Sequence, residues 1–180
     1  WFEVPKTLKV LITGSFSRSA TAKDLTLYIL KELGTKKAAL QAVEFYGEAV
    51  RKLTLSGRIT LCSMVTEMAG IVGFIPEHDD SLRDEMKRLT GAGFSALEAD
   101  EDCLYSGQME VDVNGLIPQV AAPFSPDNVR DVSELKGIKI DTGFIGSCTN
   151  GRAEDLALAA RILKGKKIKQ GVTLKVVPAT

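Results

Sequence analysis

Two short apolar stretches near the start of the chain flank a segment with helical spacing. Residues 8–13 and 42–46 are rich in apolar and β-branched residues, a composition typical of buried strands. Between them, Thr21 or Ser19 can cap an amphipathic helix that ends at Gly34. The apolar positions of this helix recur at helical spacing and are Leu25, Ile29, Leu30 and Leu33. The pattern predicts a strand, a helix and a second strand in that order.

The middle of the chain predicts further elements of both kinds. They are a short helix over 48–53, a buried helix over the apolar run 59–72, a surface helix over 80–89 and a strand over 109–113. Three prolines then interrupt regular structure, Pro118, Pro123 and Pro126. We place a domain boundary at this break, with one domain over residues 1–127 and the next over 128–180.

Beyond the boundary the pattern predicts one βαβ unit. It consists of a strand over 138–145, a helix over 152–163 and a strand over 172–177. We therefore predict an α/β fold, with a three-layer α/β/α domain built on a mixed or parallel sheet, followed by an incomplete βαβ unit of a second, similar domain. Because the chain begins without methionine and stops directly after a strand, we interpret it as an internal piece of a longer chain.

Composition narrows the function classes. The 180 residues contain 23 basic and 23 acidic side chains, so the overall charge favours neither nucleic acid nor an anionic membrane as a partner. No apolar run approaches the roughly 20 residues that a membrane-spanning helix needs. The three cysteines, Cys62, Cys103 and Cys148, are widely spaced and accompanied by one histidine, which indicates a reducing cytoplasm and no self-contained metal site.

One cysteine lies where a predicted strand runs into a helix. The segment 143–152 reads Gly-Phe-Ile-Gly-Ser-Cys-Thr-Asn-Gly-Arg. Open α/β sheets place ligands at the carboxyl ends of their strands, and the N-terminus of the following helix would stabilise a Cys148 thiolate or an anionic ligand there. The alternative is a small buried cysteine followed by a well-capped helix. The residues alone favour the two interpretations about equally.

The same segment resembles the signature of the aconitase superfamily, and within it the branch of 3-isopropylmalate dehydratase and homoaconitase large subunits. Other segments resemble that branch in the same order along the chain: Ala22-Lys23-Asp24, Glu44-Phe45 with Gly47-Glu48-Ala49, Gly57-Arg58-Ile59-Thr60-Leu61-Cys62, Pro118-Gln119-Val120-Ala121, Ser125-Pro126-Asp127-Asn128-Val129 and Val177-Pro178-Ala179. The resemblance covers nearly the whole chain. It implies the family's middle domain and the opening of the next one.

The resemblance implies a cofactor and a ligand for it. Cys148 matches one of three thiolates that hold a 4Fe-4S cluster in the family, and the other two ligands come from a Cys-x-x-Cys pair beyond this chain. This chain alone is therefore not expected to hold the cluster. Cys62 and Cys103 match no ligand; we interpret Cys62 as a small core residue and Cys103 as an incidental thiol.

The resemblance also assigns roles around the cluster. Glu67 matches the family's acid–base glutamate, although from pattern alone it reads as a helix residue that reaches solvent or pairs with a basic side chain. Ser63 stands where most relatives have an asparagine that contacts the cluster, and a hydroxyl donates only one hydrogen bond. Asn150 could contact the cluster or substrate, or only cap a helix. Arg152 could bind a substrate carboxylate or be a surface residue.

The family implies an iron–sulfur hydro-lyase that isomerises a small hydroxy di- or tricarboxylic acid, either 3-isopropylmalate dehydratase of leucine biosynthesis or homoaconitase of lysine biosynthesis. Its implied partners are that substrate, a small swivelling subunit or domain, and the remaining domains of the large subunit. The alternatives are a catalytically silent scaffold domain and a cysteine hydrolase, for which His78 is the single available base. We expect no nucleic-acid or membrane partner and a cytoplasmic location.

Overall fold

The computed structural model describes residues 1–76, 80–93, 95 and 97–179. The chain divides into two compact units, Trp1–Asp131 and Val132–Thr180. The α/β class predicted from the alternation of apolar patterns is confirmed, because helices flank a parallel sheet. The assignment of residues 1–127 and 128–180 to two domains of a longer protein stays a prediction.

A parallel sheet organises the first unit. Its described strands are β1 (Thr7–Thr13), β2 (Ala42–Tyr46), β3 (Val72–Phe74) and β4 (Gly107–Asp112), in the order β3-β2-β1-β4. The predicted strands over 8–13 and 42–46 are confirmed and pair directly. Alternate residues of β1 and β2, including Val10, Ile12 and Phe45, are fully buried on one face of the sheet. The core of the unit therefore lies on that face.

The helix between β1 and β2 supplies much of this core. The described helices of the unit are α1 (Ala22–Leu33), α2 (Glu48–Arg51), α3 (Leu55–Ser63) and α4 (Asp80–Thr90). Helix α1 buries its predicted apolar stripe completely and contacts α3. Its buried Asp24 accepts hydrogen bonds from the Thr21 backbone N–H and hydroxyl, both at 2.7 Å, and from the Gln119 backbone N–H at 2.7 Å. This carboxylate thus links the start of α1 to a segment 95 residues later.

The predicted buried helix over 59–72 is wrong in its second half. Helix α3 ends at Ser63, a 3-10 helix follows over Met64–Met68, and Val72 already belongs to β3. Ala69 adopts a left-handed conformation with φ of 60°, which turns the chain. A Cβ on Gly70 would lie 2.4 Å from Val65 Cγ1, so only glycine permits this close return of the backbone.

The proline-rich segment contains regular structure that the sequence analysis missed. Strands β5 (Gln119–Ala121) and β6 (Val129–Asp131) pair antiparallel. Each has three residues, too few for a period-2 pattern to stand out between the surrounding prolines.

The second unit contains the predicted βαβ arrangement. Strands β7 (Thr142–Ile145) and β8 (Thr173–Val176) pair in parallel, with α5 (Ser147–Asn150) and α6 (Ala153–Leu163) between them. A 3-10 helix over Val132–Leu135 opens the unit. The predicted strand over 138–145 is shorter than expected, because only its last four residues pair. None of the described helices, in either unit, is long and apolar enough to cross a membrane.

Candidate functional site

Cys148 lies in a one-turn helix directly after a parallel strand. Strand β7 ends at Ile145, Gly146 follows, and α5 then carries Cys148 with its side chain exposed. Ser147 has a φ of 80°, a conformation that non-glycine residues rarely adopt. The predicted position at the carboxyl end of a strand is thus observed, while the alternative of a buried cysteine is wrong.

Two glycines and the C-terminal segment determine the path of this loop. A Cβ on Gly146 would lie 2.7 Å from the Val177 carbonyl oxygen, and a Cβ on Gly151 would lie 2.8 Å from the Ala179 nitrogen. Val177 N–H donates to the Ile145 carbonyl at 2.8 Å, and Ala179 N–H donates to the Gly151 carbonyl at 2.7 Å. The segment after β8 therefore packs against the loop that carries the cysteine and holds it in place.

Asp155 connects the loop to the start of α6. Its carboxylate accepts a hydrogen bond from the Asn150 side-chain amide at 3.0 Å and another from the Arg152 backbone N–H at 3.1 Å. Of the two roles considered for Asn150, the structure therefore shows a local one at the helix start. The second amide hydrogen and the carbonyl oxygen of Asn150 leave capacity for another contact.

A cavity of about 610 Å³ opens beside the cysteine. Both Cys148 and Arg152 line it, together with Ser147 and the segment 177–179. A residue with a thiol and a residue with a guanidinium thus line the same space in the second unit. Such a pair can offer a soft ligand for a metal and a forked donor for a carboxylate.

Ser63 and Glu67 belong to the first unit, one turn apart. Ser63 ends α3, and Glu67 lies in the 3-10 helix whose Met64, Val65 and Met68 side chains are buried. Both polar side chains are exposed. Glu67 forms no hydrogen bond or ion pair with any described residue. Its carboxylate is therefore solvated, which agrees with the interpretation, made from the sequence pattern alone, of a residue that reaches solvent.

The other two cysteines do not add to a ligand set. Cys62 is half-buried, and burial raises its pKa to about 11, an effect that nearby Arg58 partly opposes. Cys103 is exposed in the first unit. Among the residues that the structure describes, no three histidine, cysteine, aspartate or glutamate side chains converge to hold a metal ion. Among the described residues, Cys148 therefore offers a single thiolate, and the further ligands of a metal site do not converge around it. His78 lies outside the described residues.

The sequence analysis missed a polar cluster on the first unit's sheet. Glu44 Oε2 accepts hydrogen bonds from the Tyr46 hydroxyl at 2.7 Å and the Tyr105 hydroxyl at 2.8 Å, and the two hydroxyl oxygens lie 2.9 Å apart. Lys9 Nζ stands 4.6 Å from the centroid of the Tyr46 ring and 5.1 Å from that of Tyr105. Burial raises the pKa of Tyr46 to about 12, and it also raises that of Tyr105.

Polar residues at alternate positions of β1 and β2 were the available signal for this cluster. Lys9 lies opposite Glu44 in the register of the two strands, and both are on the face opposite the apolar core. The contact with Tyr105, which is 61 residues away from Glu44, could not be derived from local spacing.

Comparison with known proteins gives matches along the whole chain. The model of the aconitase family (aconitate hydratase) matches residues 1–137 and 131–180. The chain is 44% identical over 180 residues to 3-isopropylmalate dehydratase large subunit 1 of Methanopyrus kandleri, covering all of this chain and 43% of that protein. It is 41% identical to the probable methanogen homoaconitase large subunit of Methanosarcina mazei, of which it covers 45%.

A third relative, the methanogen homoaconitase large subunit of Methanocaldococcus jannaschii, is 39% identical over 189 residues, and the chain covers 44% of it. The chain therefore spans less than half the length of the relatives that it matches.

Proposed function

Because the chain belongs to the aconitase family, we propose that it is a segment of the large subunit of an iron–sulfur hydro-lyase. The enzyme isomerises a small hydroxy di- or tricarboxylic acid by removing and re-adding water. The observation that carries this proposal is Cys148, exposed on a loop whose glycines and hydrogen bonds fix its path, within a segment that the family model matches. The first unit would be the middle α/β domain, and the second would open the next domain.

Cys148 would bind one iron of a 4Fe-4S cluster, with the two remaining thiolates supplied from outside this chain. When bound, the cluster supplies an open iron that acts as a Lewis acid toward the carboxylate and hydroxyl of a hydroxy acid. The exposure of Cys148 supports this role, because a thiolate ligand must be accessible to the metal. The loop needs no rearrangement to present it, since Gly146 and Gly151 already pack against the segment after β8.

Arg152 would bind a substrate carboxylate. It lines the cavity that Cys148 also lines, and its guanidinium can donate two parallel hydrogen bonds to a carboxylate. Asn150 would donate its second amide hydrogen to the cluster or the substrate, with its orientation held by Asp155.

Glu67 would transfer the proton. Its carboxylate is exposed on the 3-10 helix after α3 and has no competing ion pair among the described residues, so it is available to a substrate. Ser63, one turn earlier, would contact the cluster through a hydroxyl. Because a hydroxyl donates a single hydrogen bond where an amide can donate two, its cluster contact would be weaker than that of an asparagine.

The substrate would be 3-isopropylmalate or homoaconitate, in leucine or lysine biosynthesis, since the matched relatives carry these names. Those relatives are large subunits, so a small subunit would complete the enzyme together with the large subunit's remaining domains. A biosynthetic role and a thiolate-bound cluster fit the cytoplasm, where thiols stay reduced.

Two substitutions in the full-length protein, purified without oxygen together with its small subunit, test the proposal. Cys148→Ser should lose bound iron and all activity on both substrates, since an alkoxide is a poor replacement for a thiolate on iron. Glu67→Gln should keep the iron and sulfide content while turnover falls about 100-fold or more, as expected for loss of an acid–base group.

Matched controls separate these effects from general damage. Cys62→Ala removes a thiol that is not a proposed ligand, and Glu32→Gln neutralises an exposed helix carboxylate. Both should retain the cluster and turnover. An active Cys148→Ser enzyme would refute the ligand assignment, and normal turnover of Glu67→Gln would refute the proton-transfer role.

A further inference from the structure

A second cavity, of about 590 Å³, lies in the first unit. It is lined by Lys9 and Tyr46 from the strands, by Arg51 at the end of α2, and by residues 98–105, which precede β4. This volume falls within the roughly 300–1,000 Å³ typical of small-molecule sites. None of the residues proposed above to act in catalysis lines it.

Lys9 is the unusual residue of this cavity. It is half-buried, and its ammonium contacts the faces of Tyr46 and Tyr105. Its neighbour across the strands, Glu44, directs one carboxylate oxygen to the two tyrosine hydroxyls. Lys9 has no ion pair with any residue that the structure describes. The two ring faces offset part of the desolvation of this ammonium, but it has no oxygen acceptor among the described residues. A ligand carboxylate would supply one.

Negatively charged residues also line this cavity. Glu98, Asp100 and Glu101 are exposed, and none of them forms an ion pair within the described part of the chain. They do not converge with other described side chains as a metal site. An anion would therefore meet repulsion from this segment, and a simple cation would meet repulsion from Lys9 and Arg51.

We propose that this cavity binds a zwitterionic small molecule of the α-amino acid class, with its carboxylate on Lys9 and its ammonium at the acidic segment 98–101. A ligand with one negative and one positive group can contact Lys9 and the acidic residues at the same time. The two tyrosines, tied to Glu44, hold Lys9 in position, so the anion-binding group is preorganised before the ligand enters. This binding activity is separate from the proposed hydro-lyase reaction and does not depend on it.

Cys103 provides a direct assay, because it lines the cavity and is exposed. Iodoacetamide labelling of Cys103 and Cys148 in the 180-residue chain would be followed by peptide mass spectrometry. L-Leucine, L-lysine, L-glutamate and L-phenylalanine would each be added at about 10 mM, well above a Kd of about 1 mM. At ten times its Kd, a ligand should slow Cys103 labelling about 11-fold, because the free fraction falls as 1/(1 + [L]/Kd). Labelling of Cys148 should not change.

Charge variants and ligand analogues complete the test. Lys9→Met keeps the apolar stem but should abolish protection, whereas Lys139→Met, a surface lysine paired with Asp141 at 3.3 Å, should leave it intact. Neutralising all three acidic residues, which are exposed and so dispensable for folding, should also abolish it. The matching amine and the matching carboxylic acid should each protect poorly. Absence of protection by all four amino acids, equal protection by either analogue, or unchanged protection in folded Lys9→Met would overturn the proposal.

Discussion

Replacing Gly47 by alanine should destabilise the first unit. The loss of stability should exceed that of any other glycine-to-alanine substitution in this unit at a comparable backbone conformation. Gly47 follows β2 and has φ of 112° and ψ of 166°, a region that is almost restricted to glycine. A Cβ there would lie 2.1 Å from the Ile12 carbonyl oxygen in the neighbouring strand, whereas real Cβ contacts essentially never fall under 3.0 Å. The backbone of β1 or β2 would have to move.

The expected cost combines two contributions. Occupying this backbone region with a non-glycine residue costs about 1–3 kcal/mol. Displacing packed core backbone adds about 1–3 kcal/mol by analogy with overpacked cores. The total of about 2–6 kcal/mol is a large fraction of the roughly 5–15 kcal/mol that stabilises a typical domain.

Gly34 provides a matched control. Its φ of 66° and ψ of −179° lie in the same glycine-restricted region, but nothing lies within 4 Å of a Cβ built there. Gly34→Ala should therefore lose only the backbone contribution. Urea unfolding followed by far-UV circular dichroism would give both free energies of unfolding, and Gly47→Ala should lose about 1–3 kcal/mol more than Gly34→Ala. Equal losses in the two variants would refute the steric reasoning.

Three further predictions concern buried groups and the cluster. Cys62 should react with iodoacetamide far more slowly than the exposed cysteines, and its rate should rise about tenfold per pH unit between pH 8 and 10, because a pKa of about 11 leaves its thiolate scarce; a flat profile would contradict this. Asp24→Asn should lower the free energy of unfolding by about 1–3 kcal/mol, because each carboxylate oxygen accepts a backbone N–H and the asparagine NH2 would have to face one of these donors, at Thr21 or Gln119; Asp80→Asn on the exposed α4 should have almost no effect. The 180-residue chain, reconstituted with iron and sulfide without oxygen, should hold no stoichiometric 4Fe-4S cluster as a monomer, because Cys148 is its one proposed ligand; a coloured monomer with full iron content would disprove this.

Local sequence pattern was sufficient for the elements whose apolar spacing is long and regular. The stripe of α1 and the apolar strands β1 and β2 were predicted within a residue or two, because burial of one face imposes its period directly on the sequence. The position of Cys148 after a strand followed from the same reasoning, since the apolar stretch that predicts β7 ends directly before the cysteine loop. The resemblance to the aconitase family rested on the same loop and is confirmed by the family match.

Tertiary contacts decided the features that local pattern could not. The apolar run 59–72 is compatible with one buried helix and also with a helix, a turn and a strand. The second arrangement forms because the backbone at Gly70 packs closely against Val65. The three-residue strands β5 and β6 exist because they pair with each other, and not because of their own propensity. The cluster of Lys9, Glu44 and Tyr105 joins residues far apart in sequence, whose proximity arises from the order of strands in the sheet. Period and composition report which face of an element is buried, but only the assembled chain determines which side chains meet there.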